Sequence, residues 1–213
     1  MREGFEELTR TFKEVRKYRP VILFLLAYWM YIDGVNTIMK MAVDYGLALG
    51  FPADSLISGI LMIQFIGFPA TLLFGALGDR ISPLVGIFVG IGVYCAVTFY
   101  AVFMTSVSEF YLMAAAIGCV QGATQAMSRS YYGRLIPRDR AGEFFGFYNM
   151  MGKFAAVLGP LLMGTTALLT GNSRMAILSV ALLFAGGAVM LVIAARAARN
   201  ATPAAGSLET SAG

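Results

Sequence analysis

Asp33, Asn36, Thr37 and Lys40 lie close together in the segment YIDGVNTIMKMAVDYG. Relative to Asp33, the other three stand at i+3, i+4 and i+7. In a helix those positions share one face. An acid, an amide, a hydroxyl and an amine aligned in this way are suited to reversible binding. A carboxylate takes a proton or a cation, and the others hold polar groups of a solute. Two more pairs follow helical spacing, Gln121 with Gln125 and Asn149 with Lys153, and Gln64 and Thr124 add single polar groups. All of them interrupt otherwise apolar runs. A charge at the centre of a membrane helix costs roughly 2.5–3.5 kcal/mol on insertion scales, so such residues face protein or a water-filled cavity.

Other chemistries are poorly served. The chain has no histidine, which removes most zinc sites, Ser-His catalysis and haem ligation. No catalytic residue, metal site or cofactor is expected. Asp33-Gly34 matches the start of the alcohol phosphotransferase motif of lipid synthesis. The Ala-Arg that should follow is missing, as are the spaced aspartates that would ring a metal. An enzyme is therefore not expected.

The elements that must carry these residues are membrane spans. The 213-residue chain is 58% hydrophobic and 13% charged, against about 45–50% and about 25% in soluble domains. Crossing a bilayer takes about 20 mostly apolar residues. Runs of that kind cover roughly Pro20–Val43, Ser55–Leu77, Pro83–Met104, Glu109–Met127, Phe144–Leu169 and Met175–Ala195. They are too long for the alternating strands of a β-barrel. The expectation is an all-α membrane protein with six transmembrane helices over residues 20–195. Cys95 and Cys119 both fall inside runs, against a disulfide framework.

Sorted by run, the polar side chains are uneven. The first, second, fourth and fifth runs hold Asp33, Asn36, Lys40, Gln64, Gln121, Gln125, Asn149 and Lys153, whereas the third and sixth hold no charge or amide. Four helices would line something polar and two would face lipid. Asp33 and Lys153 both fall near the midplane, and a salt bridge between them would lower the cost of each. Lys40 is the alternative partner, about 10 Å along the axis from Asp33. The polar set reads as a solute or ion pathway, or else as a structural cluster that locks helix packing.

Basic residues sort by loop. Those before the first run, Arg80, the group Arg129, Arg134, Arg138 and Arg140, and Arg196 with Arg199 all fall on one side of a six-span topology. The positive-inside rule puts that side, and both termini, in the cytoplasm. Residues 1–19 read as a basic amphipathic linker helix at the lipid surface, and 196–213 as a disordered tail. Pro69 and Gly159-Pro160 should kink the second and fifth spans. Ala114, Gly118, Gly122 and Ala126 form a small-residue stripe, with shorter ones at Gly86/Gly90 and Gly142/Gly146, each permitting close helix packing. The loop arginines either anchor to anionic lipid or pair with acids across a closing gate.

GALGDR resembles the loop signature of the major facilitator superfamily. YIDGVNTI, MAVDYG and SRSYYGRLIPRDRAGEFFGFYNMMGKFAAVLGP together resemble the C-terminal half of its branch related to the autophagy-linked vacuolar amino-acid effluxer. The resemblance covers about residues 5–195. It implies one six-helix half bundle built as a 3+3 inverted repeat. In that arrangement the polar residues above face a midplane cavity, and Asp79, Arg80, Arg134 and Arg138 form a cytoplasmic gate. After GDR the superfamily continues with glycine and basic residues, whereas here ISPL follows, which weakens the expected gate. The implied function is a secondary transporter, or half of one. It would carry a small polar solute of the amino-acid class by alternating access in a plasma (bacterial inner) membrane, coupled to a proton or another ion. A homodimer or a second six-helix half would complete it, with lipid and the solute as further partners and no nucleic acid. The alternative is a non-transporting membrane scaffold or assembly partner.

Overall fold

The computed structural model describes residues 18–77 and 82–201, and every regular element in them is helical. Asp79, Arg80, residues 1–17 of the expected linker helix and the tail beyond residue 201 lie outside the described residues.

The elements follow from their punctuation. Helix α1, Arg19–Ala48, opens with Pro20 in its first turn, where a missing N–H is no loss, and ends just before Gly50, whose φ is +85°. Helix α2 is Ala53–Leu77 and α3 is Pro83–Ala101. Helix α4, Val107–Leu135, starts at a capping box: Ser106 accepts from the Glu109 amide, and the Glu109 carboxylate accepts from Ser106 N at 2.9 Å. A short turn of 3₁₀-helix at Arg138–Arg140 leads into α5, Ala141–Phe154. Helix α6, Leu158–Thr170, ends at Gly171, which adopts φ +62°. Helix α7, Ser173–Ser179, is capped by Asn172, and α8, Ala181–Ala201, follows after one residue.

Helices α1 and α4 are the hubs. The most extensive packing joins α1 to α8 and α2 to α4, and α3 lies along the other side of α4. Small residues permit these approaches. A Cβ on Gly122 would fall 1.6 Å from Thr71 Oγ1 on α2, and one on Gly90 of α3 would fall 2.0 Å from Thr124 Oγ1. The third stripe differs, since nothing approaches Gly142 or Gly146 within 4 Å. The exterior is apolar, with Phe65 77% exposed and Leu168 87% exposed, as suits a surface solvated by lipid.

Five stretches are long and apolar enough to cross a membrane: Arg19–Ala48, Ala53–Phe74, Pro83–Ala101, Arg138–Thr170 and Ser173–Asn200. The six expected runs appear in order, but α4 is not among the five. It carries Glu109, Gln121, Gln125, Arg129 and Arg134 along its length. Pro69 lies within an unbroken α2. The fifth run, by contrast, is split, with Ala155–Val157 unwound between α5 and α6. Pro160 explains the position: its ring collides with the carbonyl four residues back, at Ala156. Helix α8 runs through Ala201, past the expected end of the bundle at residue 195.

Candidate functional site

Asp33 stands midway along α1 and is completely buried. Its Oδ2 accepts from Leu158 N at 2.9 Å and its Oδ1 from Gly159 N at 2.9 Å. Those amides are the first two of α6, which a helix start leaves without intrahelical partners. One carboxylate therefore fills the N-terminus of a half-helix, where the helix dipole favours negative charge. Asn36, one turn on, donates its amide to the carbonyl of Ala155 inside the unwound stretch. Thr37 donates to Asp33 O at 2.7 Å and lies 3.4 Å from Asp33 Oδ1. Gly159 makes the approach possible, because a Cβ there would fall 1.7 Å from Thr37 Oγ1.

The ion pair expected between Asp33 and Lys153 is not formed. Lys153 is exposed in the last turn of α5, and Asp33 is instead satisfied by backbone donors that the helix break leaves free. Lys40 is exposed as well and does not pair with Asp33.

A second assembly lies between α2 and α4. Gln64, Gly67, Phe68, Thr71, Gln121, Gly122 and Gln125 line a surface-open cleft of about 400 Å³, a volume suited to a small molecule. Gln64 and Gln125 are exposed in it and Gln121 is half-buried. Thr71 turns its hydroxyl back onto Gly67 O at 2.7 Å, leaving the three amides as the groups free to engage a solute. Three of the candidate pathway residues thus meet in one place, and two others, Asp33 and Asn36, meet at the helix break. Lys40, Asn149 and Lys153 join neither group, and Arg134, in the last turn of α4, and Arg138, in the 3₁₀ turn that follows, are exposed. Asp79 and Arg80, expected at a gate, lie outside the described residues.

A third feature escapes a reading by polarity. Tyr148 of α5 stacks on Tyr28 of α1 at 4.2 Å and on Tyr132 of α4 at 4.9 Å between ring centroids. Tyr132 donates to Phe144 O at 3.0 Å, and the Tyr31 and Ser128 hydroxyls lie 2.7 Å apart. Arg129 covers the Phe145 ring at 5.1 Å. These contacts bind α5 to both hub helices. In the sequence the same tyrosines merge into apolar runs, and only Tyr28 and Tyr31 stand at helical spacing.

Polar clefts and carboxylates set into broken spans are features that membrane transport proteins use. The chain belongs to the family described as vacuole effluxer Atg22 like, whose model matches residues 1–202. It is 44% identical over 188 residues to an uncharacterized MFS-type transporter, YxiO, of Bacillus subtilis, a match covering 88% of this chain and 44% of that one. Autophagy-related protein 22 of Yarrowia lipolytica is 33% identical over 183 residues, covering 80% of this chain and 31% of the relative. The Saccharomyces cerevisiae protein of that name is 24% identical over 190 residues, covering 80% and 35%. The chain spans less than half the length of these curated relatives. No solved structure matches it.

Proposed function

We propose that this chain is a secondary transporter, or half of one, moving a small polar solute of the amino-acid class by alternating access. Its six spans form one half bundle with the 3+3 inverted repeat of the major facilitator superfamily. Both termini face the cytoplasm, and the membrane is the plasma membrane of a bacterium. A second six-helix half, another copy or a separate partner, supplies the opposite wall of the pathway. Asp33 takes the coupling proton or cation, and Lys40, Asn149 and Lys153 stand along the pathway. Asp79, Arg80, Arg134 and Arg138 gate its cytoplasmic end.

The observation that carries this reading is the cleft between α2 and α4. Gln64, Gln121 and Gln125 converge there at a volume a small solute can use. Interhelical glue would bond these amides to one another or to backbone across the contact, and no such bond is present among the described residues. Membrane impurity aside, a cleft of three free amides has one economical use, which is to exchange hydrogen bonds with something that comes and goes.

The test is cysteine accessibility together with transport. Single cysteines replace Gln64 and Gln121 in a chain whose Cys95 and Cys119 are serine. Both should react with a membrane-impermeant thiol reagent, and an amino-acid mixture should slow the reaction at both. In reconstituted vesicles an imposed proton gradient should drive labelled amino acid across the membrane. Dry, unreactive positions without transport would leave the scaffold reading in its place.

A further inference from the structure

We infer that α6 is a hinged half-helix whose closed position is held by a latch, the Asp33 carboxylate on the Leu158 and Gly159 amides. This deepens the transport reading and rests on it for its purpose, though not for its test.

The two halves of the fifth span are held very differently. Helix α5 is clamped by stacked tyrosines on α1 and α4. Helix α6 buries only Gly159 and Met163 of its thirteen residues, and packs mainly on short α7 and along α1. Between them Ala155–Val157 is already unwound, so motion there breaks no helix. What fixes α6 is its first turn, where Asp33 accepts two backbone bonds and Asn36 holds Ala155 O. Hydrogen bonds to an ionised acceptor are about twice as strong as neutral ones. Protonation would turn one acceptor oxygen into a donor and set a hydroxyl against an N–H. The latch therefore holds while Asp33 is ionised and releases when it takes up a proton.

Among the described residues no other charged side chain bonds Asp33. Of the elements packed on α1, α6 carries no titratable side chain. Helix α5 carries Glu143, Tyr148 and Lys153, and α4 carries Glu109, Cys119, Arg129, Arg134 and three tyrosines. Helix α2 brings Asp54, α7 brings Arg174, and α8 brings Arg196 and Arg199. Among the described residues none of these makes a hydrogen bond or ion pair with Asp33.

The experiment places spin labels at Leu47 and Leu168, both exposed toward the ends of α1 and α6, in the full chain in nanodiscs without solute. Wild type should show one short distance. Asp33→Asn, a neutral stand-in for the protonated acid, should populate a second, longer one. Gly159→Ala keeps the charge but crowds Thr37, so it should also open the pair. Thr37→Gly added to Gly159→Ala removes the two nearest colliding atoms, leaves Asp33 Oδ1 at 3.0 Å, and should shift the pair back toward the closed distance. A single closed distance in Asp33→Asn overturns the latch. If Asp33→Asn fails to insert, a closed, wild-type distance in Gly159→Ala overturns it alone. Because no solute is present, a latch that opens in a chain that moves no amino acid sinks the transport reading and leaves this one standing.

Discussion

At the scale of the residue, two midplane charges that look equivalent in the sequence do different work. Asp33 is buried and holds two backbone donors; Lys153 is exposed and holds nothing in the described structure. Asp33→Ala should leave two N–H groups unpaired and cost about 1–3 kcal/mol of stability. Lys153→Gln should stay within about 0.5 kcal/mol of wild type, as surface changes do. Denaturant or thermal unfolding in mild detergent separates the two. In vesicles both variants should lose transport, Asp33→Ala with its fold weakened and Lys153→Gln with its fold intact. Wild-type transport in Lys153→Gln would remove that residue from the pathway. Asp33 was legible as a functional candidate because a lone acid among apolar residues needs a partner. Its partner was harder to see. An ion pair is what side chains alone suggest, whereas the donors here belong to the backbone and exist only because Pro160 forces a break four residues upstream of itself.

At the scale of the element, five membrane-capable stretches and their order followed from apolar length, and the close helix contacts from small-residue spacing. The stripe on α4 works as that spacing implies. Gly122→Val should drive α2 from α4, since even a Cβ would lie 1.6 Å from Thr71 Oγ1. Overpacking of this kind costs about 1–3 kcal/mol. Because Gly122 also lines the cleft, thiol labelling at position 64 should change with it. Gly146→Ala has open space around it and should be silent in both measurements. The same spacing rule thus gave two contacts and one free face. Spacing says that a backbone can be approached, and only the path of the neighbouring chain decides whether it is. The fifth span was the other divergence. Gly159-Pro160 pointed to a kink, and the chain instead unwinds before it, because Asp33 and Asn36 supply side-chain partners for the backbone groups a full break exposes.

At the scale of the whole molecule, the question is what faces the cleft. Gln64 and Gln125 are exposed on a bundle whose exterior also presents large apolar side chains such as Phe65 and Leu168. An amide facing hydrocarbon leaves its polar atoms unsatisfied, which is costly in the absence of water. A second bundle across the cleft would relieve that cost by enclosing a wet cavity between two polar walls. The relatives, more than twice as long as the matched segment, leave room for such a second wall within one chain. If the second wall is another copy, the two bundles should be related by a true twofold axis, and the same cleft residues should meet across it. The purified chain in nanodiscs should then have the mass of two copies, about twice its 22.9 kDa. A cysteine at Gln125 should form a crosslink between copies, and Gln125→Trp should weaken the pair. A single copy of unchanged mass would rule out a second copy as the other wall, and co-expression with candidate six-helix halves, scored by protection of the cysteine at position 121, would be the way to find it.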